Sequence, residues 1–188
     1  MVGRARQADA DVSGPLAAAL AEFGLERDAL QERLGGRSWK VLYLGLPHVL
    51  KLAADGAVDR LHHEARCLQD IAHREVLIGE HAFLVPYING HPLVAGTLDE
   101  AALRACLEPV HEAGYTFCDL RPSNVIVAAG QCHLIDWEFC TRTGTSIENM
   151  PSRPYSSGFT HPDLIWAKGV VDPRLDRFSM VRLQELLS

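Results

Sequence analysis

The chain has 188 residues, enough for one domain of ordinary size, and 47% of them are hydrophobic, enough for a core. A formal charge of -6 argues against nucleic acid or an anionic membrane as the main partner. The cysteines (Cys67, Cys106, Cys118, Cys132, Cys140) show neither C-x-x-C pairs nor zinc-ligand spacing, so they read as reduced thiols of a cytoplasmic protein. The start, MVGRARQADADVSG, lacks the apolar run of a signal peptide, and no stretch is long and apolar enough to suggest a membrane span.

Residues 1–13 are polar. Pro15 to Phe23 is rich in Ala and Leu and opens with Pro, which predicts a helix stopped at Gly24. Glu26 to Leu34 fits either a short helix or a turn into a strand. Two apolar runs follow, Trp39 to Leu44 and His48 to Leu52, joined by Gly45-Leu46-Pro47; they predict a hairpin. Lys51 is a lone charge in the second run, where an edge-strand lysine with its head in water is the plain reading. Gly35-Gly36, before the hairpin, is either a simple turn or a place where backbone N–H groups meet phosphate, with Arg37 or Lys40 adding charge.

Ala57 to Ala72 has helical period, with Val58, Leu61, Ala65, Leu68 and Ala72 on one face. Glu64 borders that face and must either reach water or pair with a cation. Val76 to Ile78 and Ala82 to Ile88 predict a second hairpin around Gly79-Glu80-His81. Thr97-Leu98-Asp99-Glu100 is a capping box, and it opens a helix with Leu103, Cys106, Leu107 and Val110 on one face. Pro109 inside this helix costs an internal bond or bends it, and Gly114 ends it.

The most informative stretch is GYTFCDLRPSNVIVAAGQCHLIDWEF, Gly114 to Phe139. Val125 to Val127 suit a strand, Ala128 to Gln131 a turn, and Cys132 to Ile135 the return. Such a hairpin would bring Asp119, Asn124 and Asp136 to one mouth. Two carboxylates and an amide there suit divalent-metal and phosphate chemistry, although Asp and Asn before short strands also act as plain turn formers. Residues 140–154 are polar and turn-rich, as a mobile segment would be. Asp172-Pro173 starts a last helix with Leu175, Phe178, Val181, Leu183 and Leu186 as a wide apolar face, which suits a protein partner or a second copy.

Asp119-Leu120-Arg121-Pro122-Ser123-Asn124 followed by Ile135-Asp136-Trp137-Glu138-Phe139 resembles the protein-kinase superfamily. Phe117 and Cys118 stand where that family usually has His and Arg, and Trp137-Glu138 replaces Phe-Gly. The Asp-Trp-Glu form is similar to the small-molecule and lipopolysaccharide branch. The resemblance implies an α+β, bilobal kinase-like fold. A small antiparallel-sheet N-lobe would cover residues 1–86, a hinge 87–90, and a truncated, mainly helical C-lobe 91–188.

The resemblance also implies ATP and magnesium as cofactors and assigns roles. Asp119 would accept the proton of an incoming hydroxyl. Arg121 would hold the transferring phosphate. Asn124 and Asp136 would bind magnesium, and Lys51, fixed by Glu64, would grip the inner phosphates. Gly35 and Gly36 would stand for the glycine-rich loop. Val85 falls at the gatekeeper position, with Pro86 C=O and Ile88 N–H as adenine partners. Asp163 would pair with an arginine, Arg174 or Arg182, and Asp176 would take N–H bonds from the loop, or else act as an ordinary helix-start aspartate. Glu138 would add a carboxylate near the metal or point to water. Phosphate on Thr143, Thr145 or Ser146 is not expected to switch the protein strongly, because Cys118 replaces the arginine that would receive it.

Three functions are compatible with these residues. One is a kinase acting on a protein Ser/Thr or a small hydroxyl compound. The others are a pseudokinase that binds nucleotide or scaffolds, and a kinase subunit active only in a complex.

Overall fold

The computed structural model describes residues 14–94 and 100–187. The polar start at 1–13 and residues 97–99 of the expected capping box lie outside them. The architecture is mixed α/β, with an N-terminal sheet and C-terminal helices. The chain falls into two compact units, residues 1–65 with 74–87, and residues 66–73 with 88–188. No described helix is long and apolar enough to cross a membrane.

The first unit begins with α1 (Pro15–Glu22), which opens on Pro15 as expected. A short 3-10 turn, Arg27–Ala29, leads into β1 (Leu30–Gly35), which settles the open reading of this stretch as a turn into a strand. β2 (Ser38–Tyr43), β3 (Leu46–Leu52), β4 (Leu77–Ile78) and β5 (Ala82–Pro86) complete an antiparallel sheet ordered β1-β2-β3-β5-β4. Alternation decides which side chains enter its core: Val41, Leu50, Leu52, Ala82 and Leu84 pack with Leu16, Ala19 and Leu20 of α1. Because β3 lies between β2 and β5, Lys51 is on an interior strand, and the edge-strand reading of this lysine is excluded. α2 (Val58–Asp70) contributes residues to both units, with Leu61, Glu64, Ala65, Cys67 and Leu68 buried.

In the second unit β6 (His91–Pro92) pairs with β8 (Val125–Ala128), which pairs in turn with β9 (Gln131–Leu134). Ala129 and Gly130 close the β8–β9 hairpin at φ 50 and φ 77, the double positive φ that matches the twist of paired strands. Gly90 approaches β8 closely: a Cβ at residue 90 would lie 2.4 Å from the Val127 carbonyl oxygen. α3 (Glu100–Glu112) buries Leu103, Leu107 and Val110 and contains Pro109.

β7 (Tyr115–Thr116) pairs with β10 (Thr141–Arg142), a contact between two-residue strands with no sequence signature. Residues 140–154 depart from the expected mobile segment. Cys140 and Ile147 are fully buried, Met150 nearly so, and Ile147 and Met150 pack with Leu164, Val171 and Leu175. α4 (Pro162–Trp166) and α5 (Arg174–Leu187) follow. The apolar face expected on α5 is turned mostly inward: Leu175 and Leu183 are buried and Phe178 meets His161 edge to face, while Val181 is exposed. The side chain of Leu186 lies outside the described residues.

Candidate functional site

In the first unit, Lys51 and Glu64 form a close ion pair. Lys51 Nζ lies 2.8 Å from Glu64 Oε1 and 2.7 Å from Oε2. The Glu64 side chain is 4% exposed and that of Lys51 19%, so Glu64 takes the second of its two options and pairs instead of reaching water. A carboxylate at that depth requires charge and hydrogen-bond compensation, and the ammonium supplies it.

The remaining nucleotide-binding expectations in this unit meet a more compact structure. Gly35 pairs with Ser38, which leaves Gly36 and Arg37 as a two-residue loop. Gly35 at φ 137 and Gly36 at φ 47 make the tight reversal possible, and Arg33 Nη2 donates to Gly36 O at 2.8 Å. The glycine pair sits at the turn of the β1–β2 hairpin. Lys40, considered as extra charge for phosphate, places Nζ 4.2 Å from the centre of the Tyr87 ring. Val85 is buried on β5. The Pro86 carbonyl, expected to serve adenine, accepts a hydrogen bond from the Arg74 guanidinium. Burial lowers the pKa of Arg74. One acceptor position of Pro86 therefore has a resident donor. Ile88 is half-buried just after this strand.

The second unit brings Asp119, Arg121, Asn124 and Asp136 together. Asn124 precedes β8 and Asp136 follows β9, so hairpin pairing fixes their proximity; Ile135 N donates to Asn124 O at 3.0 Å. Asn124 Nδ2 donates to the Asp119 backbone oxygen at 3.0 Å and to Oδ2 at 2.8 Å. Ser156 Oγ donates to Asp119 Oδ1 at 3.3 Å. Arg121 Nε lies 3.3 Å from Asp119 Oδ2, and Nη2 lies 3.6 Å from Asp136 Oδ2. The Nε–H is not aimed along a hydrogen bond, so its contact with Asp119 is ionic and undirected. Asp119 is 5% exposed and Asn124 2%, whereas plain turn formers stand in water.

Burial pushes the Asp119 carboxyl above its usual range, opposed by Arg121 and the Asn124 hydrogen bond and helped by the Asp136 charge. Two residues around this carboxylate hold strained backbone: Cys118 at φ 68 and Asp136 at φ 63, ψ 62, both left-handed without being glycine. Asp136 and Glu138 present carboxylate oxygens within 4.8 Å of each other, close enough to share one divalent cation. Asn124 turns its amide nitrogen to Asp119, so its Oδ1 is the face suited to a cation; Ser123 Oγ also approaches it at 3.4 Å. This all-oxygen donor set fits a hard divalent ion.

The loop has a floor and an anchor. Phe117 and Leu120 are buried, and Phe117 meets Trp137 edge to face at 5.4 Å, while Trp137 Nε1 donates to Leu134 O at 3.0 Å. Asp176, fully buried on α5, accepts from Phe117 N and Cys118 N, each at 2.8 Å, and from His111 Nε2 at 2.9 Å. These bonds decide between the two readings of Asp176: it is a loop anchor. Asp163 pairs with Arg174 at 2.8 Å, while Arg182 donates to Gly158 O and pairs with Glu185.

His111 and Ser156 carry no motif that would mark them. One is an ordinary residue of a helix end and the other belongs to a Ser-Ser-Gly turn, and only the fold brings them to Asp176 and Asp119. No disulfide joins the five cysteines, all of which are described. Desolvation pushes the Cys118 thiol well up and that of Cys106 up to about 12, which makes poor nucleophiles of both. No protein-family model matches this sequence, and no curated protein matches it.

Proposed function

We propose that the chain is an ATP-dependent phosphotransferase that moves the γ-phosphoryl group to a hydroxyl of a protein or a small molecule. The observation that carries this reading is the convergence of Asp119, Arg121, Asn124 and Asp136 at the open end of one hairpin. The acceptor oxygen attacks the γ-phosphorus, its proton passes to Asp119, and the bond to the β–γ bridging oxygen breaks with ADP as leaving group. Ser156 Oγ on Asp119 Oδ1 illustrates that this carboxylate takes a hydroxyl donor. Burial raises the proton affinity of Asp119, which suits a base without making it permanently protonated, since Arg121 and Asn124 act the other way.

Arg121 reaches both carboxylates with a fork that is not fully committed, and its charge is assigned to the transferring phosphoryl. Asn124 Oδ1, Asp136 and the neighbouring Glu138 are the oxygen donors for magnesium, which supplies neutralisation of phosphate charge when bound. Lys51, held by Glu64, is the amine assigned to the inner phosphates.

A second reading, a nucleotide-binding or scaffolding module without turnover, draws on two observations: the two-residue turn at Gly36-Arg37 and the Arg74 bond to the Pro86 carbonyl. Purified protein with Mg-ATP, assayed for ADP release and phosphate incorporation, separates the two. Turnover lost in both Asp119→Asn and Asp136→Ala supports the enzyme. ATP binding without turnover across a panel of hydroxyl acceptors supports the module and ends the enzymatic reading.

A further inference from the structure

We infer that the nucleotide site reads a 6-oxopurine base, with Arg74 and Lys40 as the residues that set this specificity, so that GTP or ITP binds at least as well as ATP. The inference rests on the phosphotransferase reading, which puts the purine edge at the Pro86 carbonyl, and it adds the choice of purine. Tyr87 N donates to Pro47 O on β3 at 3.0 Å. The Pro86 carbonyl, one peptide unit earlier, therefore points away from β3, and β4 pairs no further along β5 than Leu84. Sheet pairing leaves this carbonyl to the Arg74 guanidinium, which donates to it. Arg74 lies in the connector between α2 and β4, and His73 before it takes φ 50 without being glycine, so the chain is strained where it presents the guanidinium. Arg74 is half-buried, and no described carboxylate pairs with it. A guanidinium so placed has N–H donors to spare.

A second cation stands on the face of the same sheet. Ser38 lies opposite Lys51, Lys40 opposite Val49, and Val49 opposite Val85. Alternation puts Lys40, Lys51 and Val85 on one face, while Val41, Leu50 and Leu84 on the other pack on α1. Lys40 Nζ lies 4.2 Å from the centre of the Tyr87 ring, just past the end of β5. Glu32, opposite Lys40 on β1, is exposed and forms no ion pair with it. Lys51 is neutralised by Glu64, whereas Arg74 and Lys40 bring positive charge without a described acidic partner.

Purines differ at the edge these cations face. Adenine carries an amino donor at C6, whereas guanine and hypoxanthine carry an oxygen acceptor there. Arg and Lys offer donors only. The amino group of adenine meets a carbonyl already taken by a guanidinium and must share it. A 6-oxo group accepts from the remaining N–H groups of Arg74, and the ring presents a π face to the Lys40 ammonium. A site that offers donors to an oxygen disfavours the analogue lacking it, because those donors go unpaired.

The test is calorimetric titration of the full chain with Mg-ATP, Mg-GTP and Mg-ITP. ITP has the 6-oxo group but not the 2-amino group of guanine, so it isolates the C6 position. GTP and ITP should each bind at least as tightly as ATP. The ratio of the ATP to the ITP dissociation constant should fall roughly tenfold in Arg74→Leu and roughly threefold in Lys40→Met. ATP bound about tenfold or more tightly than both GTP and ITP, or a ratio within about twofold of the unmodified chain in Arg74→Leu, overturns the inference and leaves the phosphotransferase reading standing. Should Arg74→Leu fail to fold, the ratio in Lys40→Met decides: the threefold fall supports the inference and an unchanged ratio overturns it. Binding of all three nucleotides without release of any diphosphate ends the phosphotransferase reading, while the ratios still decide the base. Binding of none ends both.

Discussion

Asp119 and Asp176 are two buried aspartates of the same unit, and their surroundings give them opposite tasks. Asp176 has no exposed surface and takes two backbone N–H groups and an imidazole N–H. Its oxygens are committed to holding chain. Asp119 is nearly as deep, but its partners are an amide, a hydroxyl at 3.3 Å and a guanidinium at ionic distance. Burial outweighs them and raises its pKa. One carboxylate is a staple, and the other is less fully bonded and has a raised affinity for a proton. Depth alone does not distinguish them; the number and direction of donors do.

The comparison can be broken from the Asp176 side first. Asp176→Ala leaves two buried amides and an imidazole without their acceptor, and should cost about 3–5 kcal/mol in urea unfolding. A loss under about 1 kcal/mol would show that the loop does not depend on this staple. Asp119→Asn should act the other way. On the phosphotransferase reading it should lower turnover by about a hundredfold or more, as removal of a general base does. Yet it should raise the melting temperature at neutral pH.

The sign follows from the raised pKa. A carboxyl whose folded pKa exceeds its unfolded value contributes stability that is complete below the unfolded pKa and is lost as pH rises through the folded pKa. Above that window the unmodified chain carries a charge cost that Asn does not. The gap in melting temperature between the two should therefore widen as pH rises from the ordinary carboxylate range towards neutrality, and a gap that narrows would contradict the assignment.

The Lys51–Glu64 pair offers an intermediate case, a buried charge whose main visible partner is another charge. Lys51→Met should destabilise by about 3 kcal/mol, because Glu64 keeps its buried carboxylate, and Lys51→Met with Glu64→Leu should recover much of that loss. Chemical denaturation of the three variants gives the coupling directly. The smallest effect belongs to Arg174→Ala. Its side chain is 53% exposed, and loss of the Asp163 contact should change unfolding free energy by less than about 1 kcal/mol.

These differences also explain what could be read in the sequence. The β8–β9 hairpin was legible because β-branched residues precede a small turn and an apolar return follows it, and its pairing brings Asn124 beside Asp136. The helices at 15–22 and 58–70 followed from apolar period and Pro placement. The β7–β10 pairing was not legible, since two residues carry no alternation. Ile147 and Met150 stand singly in a polar stretch, and their burial depends on residues distant in sequence, among them Cys118, Leu164, Val171 and Leu175. His111 belongs to the same class: its hydrogen-bond partner is Asp176, 65 residues away in sequence. The interior position of Lys51 likewise depends on strand order, which local pattern does not encode.

The close passage at Gly90 has a practical consequence for mutagenesis. With a carbonyl oxygen 2.4 Å from where any side chain would begin, even a methyl group must force β8 aside. A fully randomised codon at residue 90, screened for soluble expression, should return glycine almost alone, and a plentiful alanine clone would mean that the neighbouring hairpin yields more easily than its pairing suggests.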